Sequence, residues 1–148
     1  MAFLSSLDIV GSALSAERFR MNVVMQNIAN AQTTETADGE PYRRKQVVFQ
    51  ERQLNFDEAL QQASGKSNEN MGSGGVRVTD VVESDADFKP VYDPSNPNAD
   101  ENGYVLYPNV DTTEEMVDLM DSSNAYETNL TVLSVMKAMI NKTLDINK

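Results

Sequence analysis

Residues 114–146 read EEMVDLMDSSNAYETNLTVLSVMKAMINKTLDI, thirty-three residues with neither Gly nor Pro. Within them Met116, Leu119, Ser123, Tyr126, Leu130, Leu133, Lys137, Ile140 and Leu144 follow one another by alternating steps of three and four. The other end of the chain does the same through Leu4, Leu7, Gly11, Leu14, Arg18, Met21, Met25 and Ile28. A 3-4 stripe is the seam of a coiled coil, in which the side chains of one helix fill the gaps of another. At 1.5 Å per residue the two helices would run roughly 36 Å and 48 Å. Long helices from opposite ends of one short chain most simply pair with each other as a hairpin. Met120, Val132, Val135, Met136 and Met139 lie off the C-terminal stripe, so that helix is apolar on more than one face. A two-helix hairpin cannot cover two faces, and the sequence therefore calls for further helices from other subunits. Gly11 occupies a stripe position otherwise held by large side chains, where it would permit close backbone approach at a cost in helix propensity.

The stretch between the helices carries little core. Lys45 to Gln50 alternates apolar and polar as a half-buried strand does, with Val47 and Phe49 on one face. A second strand follows over 75–82. Phe88 to Tyr92 and Tyr104 to Tyr107 read as a pair around the loop 93–103. Residues 64–75, rich in Gly, Ser and Asn, read as a flexible loop. The expected architecture is α+β. A terminal helical domain is formed by 1–32 and 111–148. A small β-rich middle spans 33–110, with a flexible segment at about 57–75. The first helix is expected to start at Ser5 or Ser6, either of which can cap it, and to end near Asn30, before the turn Asp38-Gly39-Glu40-Pro41. Thr112 and Glu115 have the spacing of a capping box at the start of the last helix.

Charge narrows the function. The 148 residues carry a net charge of -11, distributed as zero over residues 1–30, -7 over 31–110 and -4 over 111–148. Nucleic-acid binding and docking on anionic lipid both require clustered Lys and Arg, so neither is expected. There is no Cys and no His. Disulfides and thiolate metal sites are thus excluded, as is the commonest general base, and no nucleophile-plus-base set suggests an enzyme. No metal or cofactor is expected. No run reaches the length of a membrane span, and the start of the chain, without a basic residue before Arg18, does not read as a cleaved secretory signal.

Three local motifs invite a functional reading. In the acidic loop, Asn96, Asn98 and Asp100 have the first spacings of a calcium loop, but Glu101 stands where Gly is needed and Tyr107 where the closing Glu should be. A turn-rich loop held by its own Asx side chains is the simpler account. Gly72-Ser73-Gly74-Gly75 lacks the Lys-Ser/Thr ending of a phosphate loop and precedes a strand. Arg43-Arg44-Lys45 is the one basic run. It reads either as a solvated strand end or as a contact to an acidic neighbouring subunit.

Several stretches resemble the flagellar basal-body rod proteins. Asn27-Ile28-Ala29-Asn30, with Arg20-Met21-Asn22 before it, is similar to the Asn-(Ile/Leu)-Ala-Asn signature of flagellar axial proteins. Pro41-Tyr42-Arg43-Arg44-Lys45-Gln46-Val47-Val48-Phe49 resembles the proximal, C-type rod subunit, as do Tyr92-Asp93-Pro94, Gly103-Tyr104-Val105 and Pro108-Asn109-Val110. Glu115 to Met120, Ala125-Tyr126 and Asn129 resemble axial proteins generally. The resemblance implies a structural subunit that assembles axially, lines an export channel and transmits motor torque. It further implies export through the flagellar type III apparatus without a cleavable signal and a place in the rod across the periplasm. Its partners would be copies of itself, other rod proteins, the rod–export-gate adaptor and the MS ring. The subunit-packing positions would be Leu4, Leu7, Gly11, Leu14, Met21, Met25, Ile28, Met116, Leu119, Tyr126, Leu130, Leu133, Ile140 and Leu144. The alternatives are another rod-type axial protein, or a small helical-hairpin adaptor or chaperone.

Overall fold

The computed structural model describes residues 2–52 and 74–146. The expected flexible segment lies, apart from residues 74 and 75, outside the described residues. Helix α1 (Ala2–Ala29) is followed by strands β1 (Lys45–Glu51), β2 (Val76–Glu83), β3 (Lys89–Tyr92) and β4 (Tyr104–Tyr107), and then by helix α2 (Thr112–Ile146). The class is α+β, with two long terminal helices and a small β middle. The chain divides into two compact units, one of Met1–Phe19, Phe49–Thr79 and Ser122–Lys148, the other of Arg20–Val48 and Asp80–Asp121.

Two helix boundaries differ from expectation. α1 begins at Ala2, so Ser5 and Ser6 lie inside it rather than capping it. Ala and Leu are strong helix formers, and nothing in the first residues opposes the extension. At α2 the cap is Asp111, not Thr112. Its Oδ1 accepts hydrogen bonds from the backbone N–H of Thr113 (2.9 Å) and Glu114 (3.4 Å), while its C=O accepts from Glu115 N (2.9 Å). These bonds, with the charge of Lys89, hold the Asp111 carboxyl below its usual range. Thr112 becomes the first helical residue, and Glu115 is released from capping.

In the second unit the helices run antiparallel, since Arg20 faces Asp118 (3.9 Å) while Asn27 bonds Glu115 (2.9 Å). Val23, Val24, Tyr42, Val105 and Val110 are its buried apolar side chains. β3 and β4 pair antiparallel, Val91 opposite Val105 and Tyr92 opposite Tyr104, with the two Tyr rings edge to face at 5.4 Å. The loop between them is held by its own side chains. Asp93 Oδ1 accepts from the N–H and hydroxyl of Ser95, Asn96 Oδ1 from Asn98 N, and Asp100 Oδ1 from Asn102 N and Tyr104 N. These oxygens serve as Asx-turn acceptors, the simpler of the two readings of this loop.

In the first unit Val10, Ala16 and Ser122 are buried. Strands β1 and β2 form a two-stranded sheet. Arg52 N donates to Gly75 O here and, among residues of the second unit, Ser84 N donates to Arg44 O, a pairing that runs antiparallel. The entry to β2 is tied to α1, because Ser12 Oγ accepts the N–H of Val76 (3.1 Å) and donates to Ile9 C=O (2.7 Å). Gly75 sits against this clasp at φ +87°, and a Cβ there would fall 2.1 Å from Ser12 Oγ. The Gly of the abandoned phosphate-loop motif thus has a backbone role, a left-handed residue pressed on a helix.

Gly11 is the opposite case, helical and exposed, with no atom within 4 Å of an added Cβ. Gly11→Ala should raise stability by up to about 1 kcal/mol through helix propensity. Gly75→Ala should lower it by at least about 1–2 kcal/mol, the cost of the left-handed region for an L-residue, before any clash is counted. Urea midpoints of the two variants should therefore move in opposite directions.

Candidate functional site

One buried polar junction holds the second unit together, and it is built on the signature residue Asn27. At the last turn of α1, Asn27 is 1% exposed and its side-chain amide uses its full hydrogen-bonding capacity. Nδ2 donates to Lys45 C=O (2.8 Å) and to Glu115 Oε2 (2.9 Å). Oδ1 accepts from the Tyr42 hydroxyl (2.9 Å) and from Lys45 N–H (3.0 Å). The amide engages both backbone groups of Lys45, as a neighbouring strand would, and so fixes where β1 starts. Asn30 closes the helix, donating to Gln26 C=O and accepting from Thr33 Oγ1, while Tyr42 N–H returns to Thr33 C=O.

Glu115 is the second centre. It is 1% exposed, and an isolated carboxylate there would be very costly. Asn27 bonds one oxygen. Arg44 Nε donates to the other, and the Arg44 guanidinium also meets Asp118 (3.3 Å) and Glu114 (3.6 Å). Burial alone would lower the Arg44 pKa, but the hydrogen bond to Glu115 and the charges of Glu115, Glu114 and Asp118 outweigh it and raise it. Asn109 completes the junction. Its Oδ1 accepts Arg44 N–H (2.8 Å) and its Nδ2 donates to Ser84 and Ala86 C=O.

The basic run therefore fits neither reading made for it at Arg44. That guanidinium is neither solvated nor aimed at a neighbour, because the acidic partners come from α2 of the same chain. Arg43 lies over the Phe88 ring (4.4 Å to the centroid) and near Glu40 (3.8 Å), and Lys45 pairs with Glu83 (3.8 Å). Among the motif residues, Asn27, Asn30, Tyr42 and Arg44 converge on the junction, while Ile28 is half-buried and Ala29 exposed. Of the stripe residues, Leu7, Leu14, Met21, Leu119, Tyr126, Leu133 and Ile140 are half-buried, and Gly11, Met25, Met116, Leu130 and Leu144 are exposed. The side chain of Leu4 lies outside the described residues. Glu115 and Asn109 lie in the resembling stretches, and resemblance does not carry the roles they have here. The signal for Glu115 was its place one turn inside α2, opposite an Arg-Arg run of the same chain.

The family model described as flagellar basal body rod FlgEFG protein, C-terminal, matches residues 101–146. The chain is 47% identical over 148 residues to the flagellar basal-body rod protein FlgC of Salmonella typhimurium (strain LT2), covering all of both chains. It is 44% identical over 153 residues to FlgC of Bacillus subtilis (strain 168), again covering all of both. It is 36% identical over 157 residues to FlgC of Borreliella burgdorferi, covering 99% of this chain and 98% of the relative. The protein belongs to the flagellar basal-body rod proteins. Within them it is a member of the FlgC family.

Asn27→Ala leaves the Glu115 carboxylate, the Tyr42 hydroxyl and the Lys45 backbone short of partners, and should cost of order 3–5 kcal/mol. Asn30→Ala, at a half-buried position, should cost about 1 kcal/mol. Denaturant unfolding of the two variants checks the order.

The Tyr42 pKa is raised above its ordinary value of 10.0, first by burial and then by the charges of Glu115 and Glu83. Its stabilising contribution is fully present below the unfolded value of 10.0 and is lost as pH rises from there through the folded value. In a stability profile between pH 9 and 12, Tyr42→Phe should show a shallower alkaline fall than the parent.

Proposed function

We propose that this chain is a structural subunit of the bacterial flagellar basal-body rod, of the proximal type, assembling through its terminal helices. The observation that carries the reading is the match to FlgC relatives along the whole chain, with neither end left over. The surface of α2 supports it. Met116, Val117, Met120, Leu130, Val132, Val135, Met139 and Leu144 are all exposed, from 41% to 65%, on a helix with no Pro or Gly. A row of large apolar side chains in water is a surface awaiting protein. None of the described helices is long and apolar enough to cross a membrane.

In this reading the helices pack side by side with those of copies and of other rod proteins, line an export channel and carry torque. The subunit reaches the periplasm by type III export without losing an N-terminal signal, and α1 serves both delivery and structure. The rod–export-gate adaptor and the MS ring are its further neighbours. The reading involves no catalytic step.

A strain lacking the gene should not swim, and the full chain should restore motility. A chain lacking residues 2–30 should restore neither motility nor extracytoplasmic delivery; normal delivery would place the export signal elsewhere. Gly11→Leu meets open space within the chain. It should leave export intact yet abolish swimming if helices of neighbouring subunits pack closely at that point. Export with normal swimming would refute that packing.

A further inference from the structure

In the first unit, residues of α1 and β2 enclose a cleft of about 360 Å³. Ser12, Ala16, Phe19, Val76 and Val78 are among its lining residues, and two guanidinium side chains, Arg52 and Arg77, are the charged ones. Phe19 is 41% and Val76 36% exposed, so the apolar floor is open to water. Arg52 and Arg77 are exposed, and Arg77 donates to Gln50 Oε1 (3.1 Å). Two arginines around one apolar cleft stand out in a chain of net charge -11.

The second unit carries the complementary surface. On the first turns of α2, Met116 (55%), Val117 (54%) and Met120 (65%) are exposed. Met116 and Met120 are four residues apart and share one helix face. Glu114 and Asp121 fall three and four residues either side of Val117, so carboxylates line the edge of the same apolar strip. Both are exposed. An apolar strip edged with carboxylates matches an apolar cleft edged with guanidiniums. Such pairing gives orientation and partner choice as well as contact, and Met adapts its shape to an irregular cleft.

We propose that the Phe19–Val76 cleft of one subunit receives the Met116–Met120 strip of a second copy of this chain, with Arg52 and Arg77 facing Glu114 and Asp121. The inference rests on the rod-subunit reading and names one contact within it. Because the two surfaces differ, the contact is head to tail, and its repetition builds a ring or an open array rather than a two-fold dimer.

The absence of Cys from the chain makes a direct test possible. Ser15 also lines the cleft, so Ser15→Cys is made in one tagged copy and Met120→Cys in another; the two are co-expressed in a strain lacking the gene, and basal bodies are oxidised and purified. A mixed disulfide between the two copies, absent when either variant is expressed alone, is the expected result. Basal bodies that contain both variants but no mixed disulfide overturn the proposal while leaving the rod reading intact. Absence of the unsubstituted tagged chain from basal bodies would overturn the rod reading itself. As an independent measurement, Arg77→Glu should lower incorporation by roughly tenfold or more, since like charges then face each other. Adding Asp121→Arg in the same chain should recover most of it. Undiminished incorporation of Arg77→Glu would also overturn the proposal.

Discussion

A carboxylate taken out of water is the constraint on which the second unit depends. Glu115 is 1% exposed, and a carboxylate so placed persists only if its partners are fixed in place. Those partners come from two other segments. Asn27 reaches it from the end of α1 and Arg44 from the residue before β1. Each is in turn held by something else: Asn27 by both backbone groups of Lys45 and by the Tyr42 hydroxyl, Arg44 by Asn109. The register between α1, the start of β1 and the start of α2 follows from one charge that must be answered. A shift of either helix by one residue would leave the carboxylate short of a partner, a far larger penalty than the loss of one apolar contact.

The electrostatics of α2 reinforce the arrangement. Its first turn holds Glu114 and Glu115, where the helix dipole favours negative charge, and Asp111 caps it from outside. Asp111, Glu114, Glu115 and Asp118, four acids within about two turns, would repel one another without a cation. Arg44 supplies it, lying against Glu115, Asp118 and Glu114, and Arg20 faces Asp118 from α1. The exposed pairs in this group, such as Arg20 with Asp118, add little by themselves. The buried Arg44–Glu115 contact matters because breaking it strands a charge.

Much of this architecture was legible in the sequence, for physical reasons. The helices announced themselves through 3-4 periodicity and, for α2, the absence of Gly and Pro over more than thirty residues. β3 and β4 announced themselves as aromatic runs on either side of a loop dense in turn formers. Their register, Tyr92 opposite Tyr104, brings together the two runs that were expected to pair. The junction was only half legible. Asn27 and Arg44 were singled out as signature residues, but resemblance gives no chemistry. Arg44 was placed in solvent or at an interface because a run of three bases normally is. What reverses that expectation is the acidic start of α2, seventy residues further on, a long-range pairing that periodicity does not encode. Glu115 misled for a related reason. Its spacing from Thr112 satisfies a local capping rule, yet a better cap one residue earlier, Asp111, freed it for a tertiary role.

The two kinds of surface left by this fold do different work. Inside the second unit the buried polar groups of the junction are matched to one another, which fixes a single register. Along α2 the reverse holds. Met120, Val135, Met139 and Leu144 are more than half exposed, and nothing among the described residues covers them. A chain of 148 residues has enough apolar side chains for a larger core than the one it builds. Spending them outward lowers the stability of the isolated subunit, since burial on folding is the main favourable term. The same side chains then contribute when helices from other subunits cover them. Placing the intolerant polar network at the junction and the adaptable Met-rich face on the outside lets the unit keep its internal register while its neighbours vary. A structural subunit that must contact more than one kind of partner is served by that division, because methionine accommodates different shapes whereas a buried carboxylate accepts one arrangement only.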